Sequence, residues 1–589
     1  MILFRKAFSV ALSLFLLLSV LVGCVQSDAD LTGNDLLKAV TSTEMARLLG
    51  YGINLGNTME ACDSSNRIPN RAPEIYETMW GNPVTTQEMI TGMRNAGFTT
   101  LRVPVAWTNA MDFENGDFSI NDAYLDRVEE IINYALNEDM FVIVNNHWDH
   151  GWWSMFGHPS PEWRDFAMQM FISMWTQIAD RYEHFDHRLI FEPSNEEWGN
   201  RFNDRTPFSP TGGVLTEDEC YELLTGLSQV FVDLIRSTGG NNSNRFLLMK
   251  GYNTDVKMTA DDRFKLPVDS ADSRLLLSVH YYTPWSYCGD TSGIGSWGRT
   301  TEVEEMNELL GSLTKFTNMG YGVVLGEWGV LDNEGPDRLS FFTNFLDNSD
   351  LHGFAPILWD TGYDPMYGRL FDRRDTLTIV APDILELFQR RSEARENLSV
   401  YEIIEAAQTS MEQTLRISAD RPETVLTADE AVAWIMFVAG GWGIQYSVGD
   451  RYQPENIASG LIASDAEITG EGTYTVSLDF TGTSEGFADG FEFAAVGIMN
   501  GEILFPGYYI EITELLINGV QATYAGIPYT TNDNPVTTRV NLYNDWVNDI
   551  PPEARVFNGD ISEASPNFLE NYRLARIETI SVTYNYIAP

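Results

Sequence analysis

Two glutamates stand where the most apolar short runs of this chain turn polar. Residues 189 to 199, LIFEPSNEEWG, close an apolar run with Asn195 and Glu196, and residues 322 to 330, GVVLGEWGV, place Glu327 behind Val323, Val324 and Leu325. The first run lacks helical spacing and contains Pro193, and the second has the same shape, so each reads as a short core strand delivering a carboxylate at its C-terminal end. Taken singly, a strand-end glutamate is most simply an ion-pair partner. If both strands belong to one parallel barrel, their C-terminal ends share a face and the two carboxylates oppose each other. Opposed carboxylates suit cleavage of a glycosidic bond, in which one protonates the leaving oxygen and the other attacks the anomeric carbon or activates water.

The elements that must position them are legible as an alternation. Strand-like runs occupy residues 51–57, 99–107, 141–149, 189–197, 245–252, 274–282, 322–330 and 352–360, and helical patterns such as TTQEMITGMRNAG and AYLDRVEEIINYALNED lie between them. Eight such units predict an α/β (β/α)8 TIM barrel over residues 46–395, with a doubly wound sheet as the weaker alternative. Residues 396–440 read as a helical connector, from YEIIEAAQ and EAVAWIMFV. From 441 to 589 the pattern is β, with TYTVSLDF, YYIEITELLING and IETISVTYNYI separated by turn residues, which predicts an all-β sandwich-like accessory module that binds glycan or buttresses the barrel. Its aromatics, among them Trp442, Tyr446, Tyr543 and Trp546, suit core packing more than sugar stacking.

A chain of 589 residues exceeds one core, and a net charge of -47 disfavours nucleic acid and anionic polysaccharides as partners while leaving neutral polysaccharides open. The start, MILFRKAFSVALSLFLLLSVLVGC, has a basic end and an apolar run of signal-peptide length, and Leu21 to Cys24 resembles the bacterial lipobox. The expectation is a lipoprotein signal over 1–23, lipidation at Cys24 and a polar tether over 24–45. That makes the protein an exported cell-surface lipoprotein, full secretion being the alternative. Cys62, Cys220 and Cys288 are odd in number and lack C-x-x-C spacing, so neither a disulfide framework nor a zinc site is indicated, though one bridge stays open.

GINLGNTME, MWGNPVTT, LRVPVAW, NNHWD, LIFEPSNEE, FVDLIRSTGGNN, SVHYYTP, VVLGEWG and LWDTG occur in this order between residues 50 and 390. The set resembles glycoside hydrolase family 5, particularly its bacterial endo-β-1,4-glucanases. The resemblance implies a retaining mechanism with Glu196 as acid/base and Glu327 as nucleophile. It also implies that Arg102 and Tyr282 attend the nucleophile, that Asn195 meets the sugar 2-hydroxyl, that His147 and His280 are the site histidines, and that Trp359 lies under the sugar. No metal or cofactor is expected, and the partner is a β-glucan such as cellulose, mixed-linkage glucan or xyloglucan, bound by a monomer. A β-mannanase of the same family and a non-catalytic glycan-capture lipoprotein are the alternatives. Two positions depart from the family pattern: Glu197 stands where Pro is usual after the acid/base, and Trp148 stands where a second His often follows the first. Glu197 is expected either to press on Glu196 or to face solvent, and Trp148, with Trp152 and Trp153, either to widen a sugar platform or to alter which backbone decoration is accepted.

Overall fold

The computed structural model describes residues 40–589 except 65, 290–295, 331–335, 364–367, 376, 420–427, 449–451, 525, 534–535, 546–549 and 552. The expected signal segment, Cys24 and Trp546 therefore lie outside the described residues. Each apolar run of the first half becomes a buried strand: β1 (Gly52–Asn54), β2 (Thr100–Val103), β3 (Phe141–Asn145), β4 (Leu189–Glu192), β5 (Leu247–Lys250), β6 (Leu275–Tyr281), β7 (Gly322–Trp328) and β8 (Ala355–Leu358). They close in sequence order into a barrel with every neighbouring pair parallel. Helices return the chain outside it, and their starts follow ordinary capping chemistry. Thr86 accepts from the Met89 N–H at the head of Gln87–Asn95, and Thr216 with Glu219 forms a capping box ahead of Glu217–Ser237.

Side chains alternate along a strand, so the barrel interior is built in rings. The lower ring is apolar and includes Ile143, Ile190, Leu248, Leu276, Val324 and Ile357, packed with Met45, Ala46 and Leu49 of helix Ser42–Leu49. That helix is the floor of the barrel. Ser42 Oγ donates to the Leu275 carbonyl and accepts from the Gly322 N–H, at the feet of β6 and β7. A Cβ on Gly322 would sit 2.2 Å from the Ser42 carbonyl oxygen, so the close approach requires glycine here. The expected tether to residue 45 is thus too long, because Ser42–Leu49 is helical core.

The connector is corrected more substantially. Helix Val400–Ala419 packs along helix Pro336–His352 within the barrel unit, which runs to Arg421, and a second compact unit begins at Pro422. EAVAWIMFV is strand Val432–Ala439, not helix. It is buried almost throughout at the centre of a sheet, so its apolar run carries no alternation to separate strand from helix.

Taken by itself, the second unit has a six-stranded and a five-stranded antiparallel sheet around one core that includes Trp434, Phe437, Phe480 and Val582. The three alternating runs are strands Gly472–Asp479, Tyr509–Ile517 and Thr579–Ile587, and the last pairs with both others. Tyr446 and Tyr543 are core residues, while Trp442 is half exposed. Cys62, Cys220 and Cys288 are buried free thiols, so none bridges another.

Candidate active site

Above the apolar ring the interior turns polar. Asn54 ends β1, Arg102 lies near the end of β2, Glu192 ends β4 and Lys250 ends β5, all of them fully buried. Arg102 is the hub. Its Nε donates to Glu192 Oε2 at 2.8 Å, Nη1 to Asn54 Oδ1 at 2.9 Å and to Glu327 Oε1 at 2.7 Å, and Nη2 to Asn195 Oδ1 at 2.8 Å. Lys250 Nζ completes the layer, donating to Glu192 Oε1 at 2.9 Å and Ser278 Oγ at 3.1 Å.

A bulge aims Glu327. Val279 pairs with Leu325 and His280 with Glu327, so β7 carries Gly326 as an extra residue between them. A side chain at Gly326 would strike Ser278 Oγ at 2.7 Å. So placed, Glu327 also accepts from the Tyr282 hydroxyl at 3.3 Å. Glu196 comes from the loop after β4, with His280 Nδ1 2.8 Å from its Oε1. Donor atoms of Glu196, His280 and Glu327 all fall within 4.8 Å of one another. Two carboxylates and an imidazole are also the donor types of a metal centre, but here they satisfy one another directly, and we assign no ion to them.

Charge balance decides how many protons the carboxyls hold. Burial alone would raise the Glu192 pKa, but Arg102 and Lys250 outweigh it and hold the group at about 2. Two buried cations then face two buried carboxylates, Glu192 and Glu327, and Glu196 is a third acid beside them. Burial pushes Glu327 up, Arg102 pulls it down and the charge of Glu196 pushes it up again. Desolvation would raise Glu196, but the hydrogen bond from His280 and the charge of Arg201 outweigh it and pull the group down. Burial lowers His280 itself to about 4, so near neutral pH it lends Glu196 a hydrogen bond but no charge. Arg102 keeps its charge throughout. The two carboxyls, within 4.8 Å of each other, therefore hold one proton between them near neutral pH.

The other expected residues gather at the same face. Asn145 Oδ1 accepts from the Val105 N–H, which turns its amide nitrogen toward His147 Nδ1 at 3.2 Å. The His147 ring proton is therefore on Nε2, 4.0 Å from Glu327 Oε1. The ring of Trp359 lies parallel to that of His147, with centroids 5.8 Å apart and planes 7° apart. Gly56 leaves the room, since a Cβ there would be 3.1 Å from the Trp359 indole.

Of the two expectations for Glu197 the structure excludes solvent exposure and leaves coupling to Glu196, since the Glu196 charge acts on it. Glu197 does not face solvent: it is fully buried and folds back on its own loop, its Oε2 accepting from Ser194 Oγ and the Asn195 N–H at 2.8 Å each. Burial raises its pKa. Trp152 and Trp153 are buried and offer no platform, which leaves Trp148, itself partly buried. Above Trp148 lies the guanidinium of Arg201, which also reaches Glu196.

Sequence reasoning missed Asn54, Glu192, Lys250 and Arg201. The signal for Glu192 and Lys250 was a charge inside an apolar strand run, which no helix face or turn explains; Arg201 gave none.

With this geometry in place, comparison with known proteins is informative. The family described as Cellulase (glycosyl hydrolase family 5) matches residues 65–365. Endoglucanase A of Paenibacillus barcinonensis is 30% identical over 380 residues, which cover 59% of this chain and 90% of that enzyme. A xyloglucan-specific endo-beta-1,4-glucanase of Bacteroides ovatus is 30% identical over 359 residues, covering 57% of this chain and 68% of that one. Among solved structures, a GH5-4 broad specificity endoglucanase from Ruminococcus champanellensis with bound cellotriose superposes with a TM-score of 0.52 at 30% identity, over 59% of this chain and 98% of its own. The family model spans half of the chain and the relatives agree with it, so this chain belongs to glycosyl hydrolase family 5.

Proposed function

We propose that this chain hydrolyses internal β-1,4 bonds of a neutral β-glucan by double displacement, with Glu327 as nucleophile and Glu196 as acid/base. The observation that carries the reading is the pair itself: the two carboxylates approach within 4.8 Å, and it is Glu327 that receives Arg102 and Tyr282. Retaining glycosidases hold their carboxyl groups about 5–5.5 Å apart, too close for a water between them and the sugar. Glu327 attacks the anomeric carbon while Glu196 protonates the departing oxygen, giving a glycosyl ester on Glu327. Water then attacks that ester and passes its proton to Glu196, restoring both groups.

Asn195 spends its oxygen on Arg102, so what it offers a 2-hydroxyl is its amide N–H donors. Trp359 supports the ring at the cleavage point. The endoglucanase and xyloglucan-specific relatives support cellulose-type, mixed-linkage and xyloglucan substrates ahead of mannan.

Reducing-sugar release on these polymers is the test. Glu327→Ala should abolish it, and Glu196→Gln should lower kcat by about 10²–10⁴-fold on substrates with poor leaving groups. Activity on mannan alone, or an unimpaired Glu327→Ala, sinks the reading.

For the unit beginning at Pro422 we propose an accessory role, with catalysis confined to the barrel. The basic end, the apolar run and the Leu21–Cys24 motif support export as a lipoprotein anchored through Cys24. Labelling of cells with radioactive palmitate should mark the protein, and Cys24→Ser should lose the label; persistent labelling would place any lipid elsewhere.

A further inference from the structure

Arg201 takes no part in the steps above, yet among the described residues it is the one arginine or lysine in ion-pair contact with Glu196. It stands on the short turn Asn200–Asn203, with Nη1 3.6 Å from Glu196 Oε2. Its Nε lies 3.1 Å from Asp204 Oδ2, and its guanidinium carbon lies 5.2 Å from the ring centroid of Trp148 and 5.6 Å from that of Trp153. An arginine held by a carboxylate and two indoles has little freedom to swing away. Trp148 and Glu197, the two departures from the family pattern, both bear on this arrangement: Trp148 gives the guanidinium a flat support, and the charge of Glu197 adds to the field that holds it.

We propose that Arg201 is a positioning residue for Glu196: it fixes the carboxyl that must give up and then recover a proton, and it sets the alkaline limit of activity. The inference rests on the acid/base role given to Glu196. In the first half-reaction Glu196 must be neutral, and a cation at its Oε2 makes the neutral form give way at lower pH. In the second half-reaction the anion is the working form, and the same cation supplies its counter-charge.

Other groups also face Glu196. His280 from β6 and Glu327 from β7 are nearest, with Arg102 from β2, His147 after β3 and Lys250 from β5 behind them. Glu197 and Asp204 share its loop, and Tyr282 lies across Glu327. The test keeps all of these constant except Asp204, which is varied on purpose.

The experiment is the pH dependence of kcat/KM on cellopentaose for the full chain and its variants. Arg201→Gln should move the alkaline limb up by about half to one pH unit, the scale of a partly exposed, screened charge pair. Arg201→Lys, which keeps the charge, should leave the limb near its original place. Asp204→Asn removes the charge that opposes Arg201, so it should move the limb down, and it keeps the proposal testable if Arg201→Gln fails to fold. With 2,4-dinitrophenyl β-cellobioside, whose leaving group needs no proton, the upward shift should vanish.

A limb that stays put in Arg201→Gln while rates fall equally at every pH overturns the proposal, as does an equal shift in the Lys and Gln variants. So does a limb unmoved in Asp204→Asn. Glu196→Gln measured alongside separates the two levels. If it keeps its rate on cellopentaose, the role of Glu196 itself fails; if it loses the rate while Arg201→Gln has an unmoved limb, only this inference fails.

Discussion

Glu192 and Lys250 lie beneath the paired glutamates, and together they decide how much of Arg102 is available to Glu327. Arg102 is shared between two carboxylates, and Lys250 takes part of the load of Glu192. Lys250→Met removes one of the two buried cations and leaves one facing two carboxylates. Glu327 should then hold its proton to higher pH, and the acid limb of the activity profile should rise by roughly one unit. Folding should suffer as well, by about 3–5 kcal/mol in urea unfolding, because a buried charge loses its partner. An unmoved acid limb would mean that Lys250 serves only the fold. At this scale Glu196 and Glu327 were legible because each ends an apolar run, whereas Arg201 was not. Nothing in NRFND marks that arginine as facing a carboxylate five residues earlier, since the turn that brings it round depends on Gly199, whose φ is 156°, and on a Cβ-free approach to Asn253.

Among the elements, the eight barrel strands were readable because each apolar run is short and ends in polar residues that the barrel turns toward one face. The bulge at Gly326 was not readable, since a run of strand residues looks the same with or without an extra one in its register. Two further elements were misjudged for different reasons. EAVAWIMFV is apolar on both faces, and only its β-branched Val432, Ile435 and Val438 spoke for a strand. Helix Ser42–Leu49 hid inside an expected tether although Thr41 and Glu44 form a capping box, a start signal visible in TSTE. Eight residues are too few to hold a helix in water, so packing into the barrel floor is what stabilises it.

For the molecule as a whole, two compact units and a strongly negative charge set the terms. The barrel unit extends to Arg421, because helix Val400–Ala419 packs along Pro336–His352 and a hydrogen bond joins Ser410 to Asp347. A chain of residues 40–421 should therefore fold and turn over cellopentaose at close to the rate of the full chain. One ending at 395 should melt several degrees lower, since it exposes the face that this helix covers. Loss of all turnover in the folded 40–421 chain would show that catalysis is not confined to the barrel. The division into barrel and β unit was legible from the change of periodicity, but the boundary was not, because a helix beyond the eighth repeat looks like a linker until its partner is known.

The floor of the barrel has a mechanical consequence. Residue 40 enters beside the feet of β6 and β7, at the end of the barrel opposite Glu196 and Glu327. The floor helix fills the end of the barrel away from the two carboxylates, so a polysaccharide meets them from the other end. A load on the chain at residue 40 reaches the feet of β6 and β7 through the Ser42 hydrogen bonds and the packing of Met45, Ala46 and Leu49.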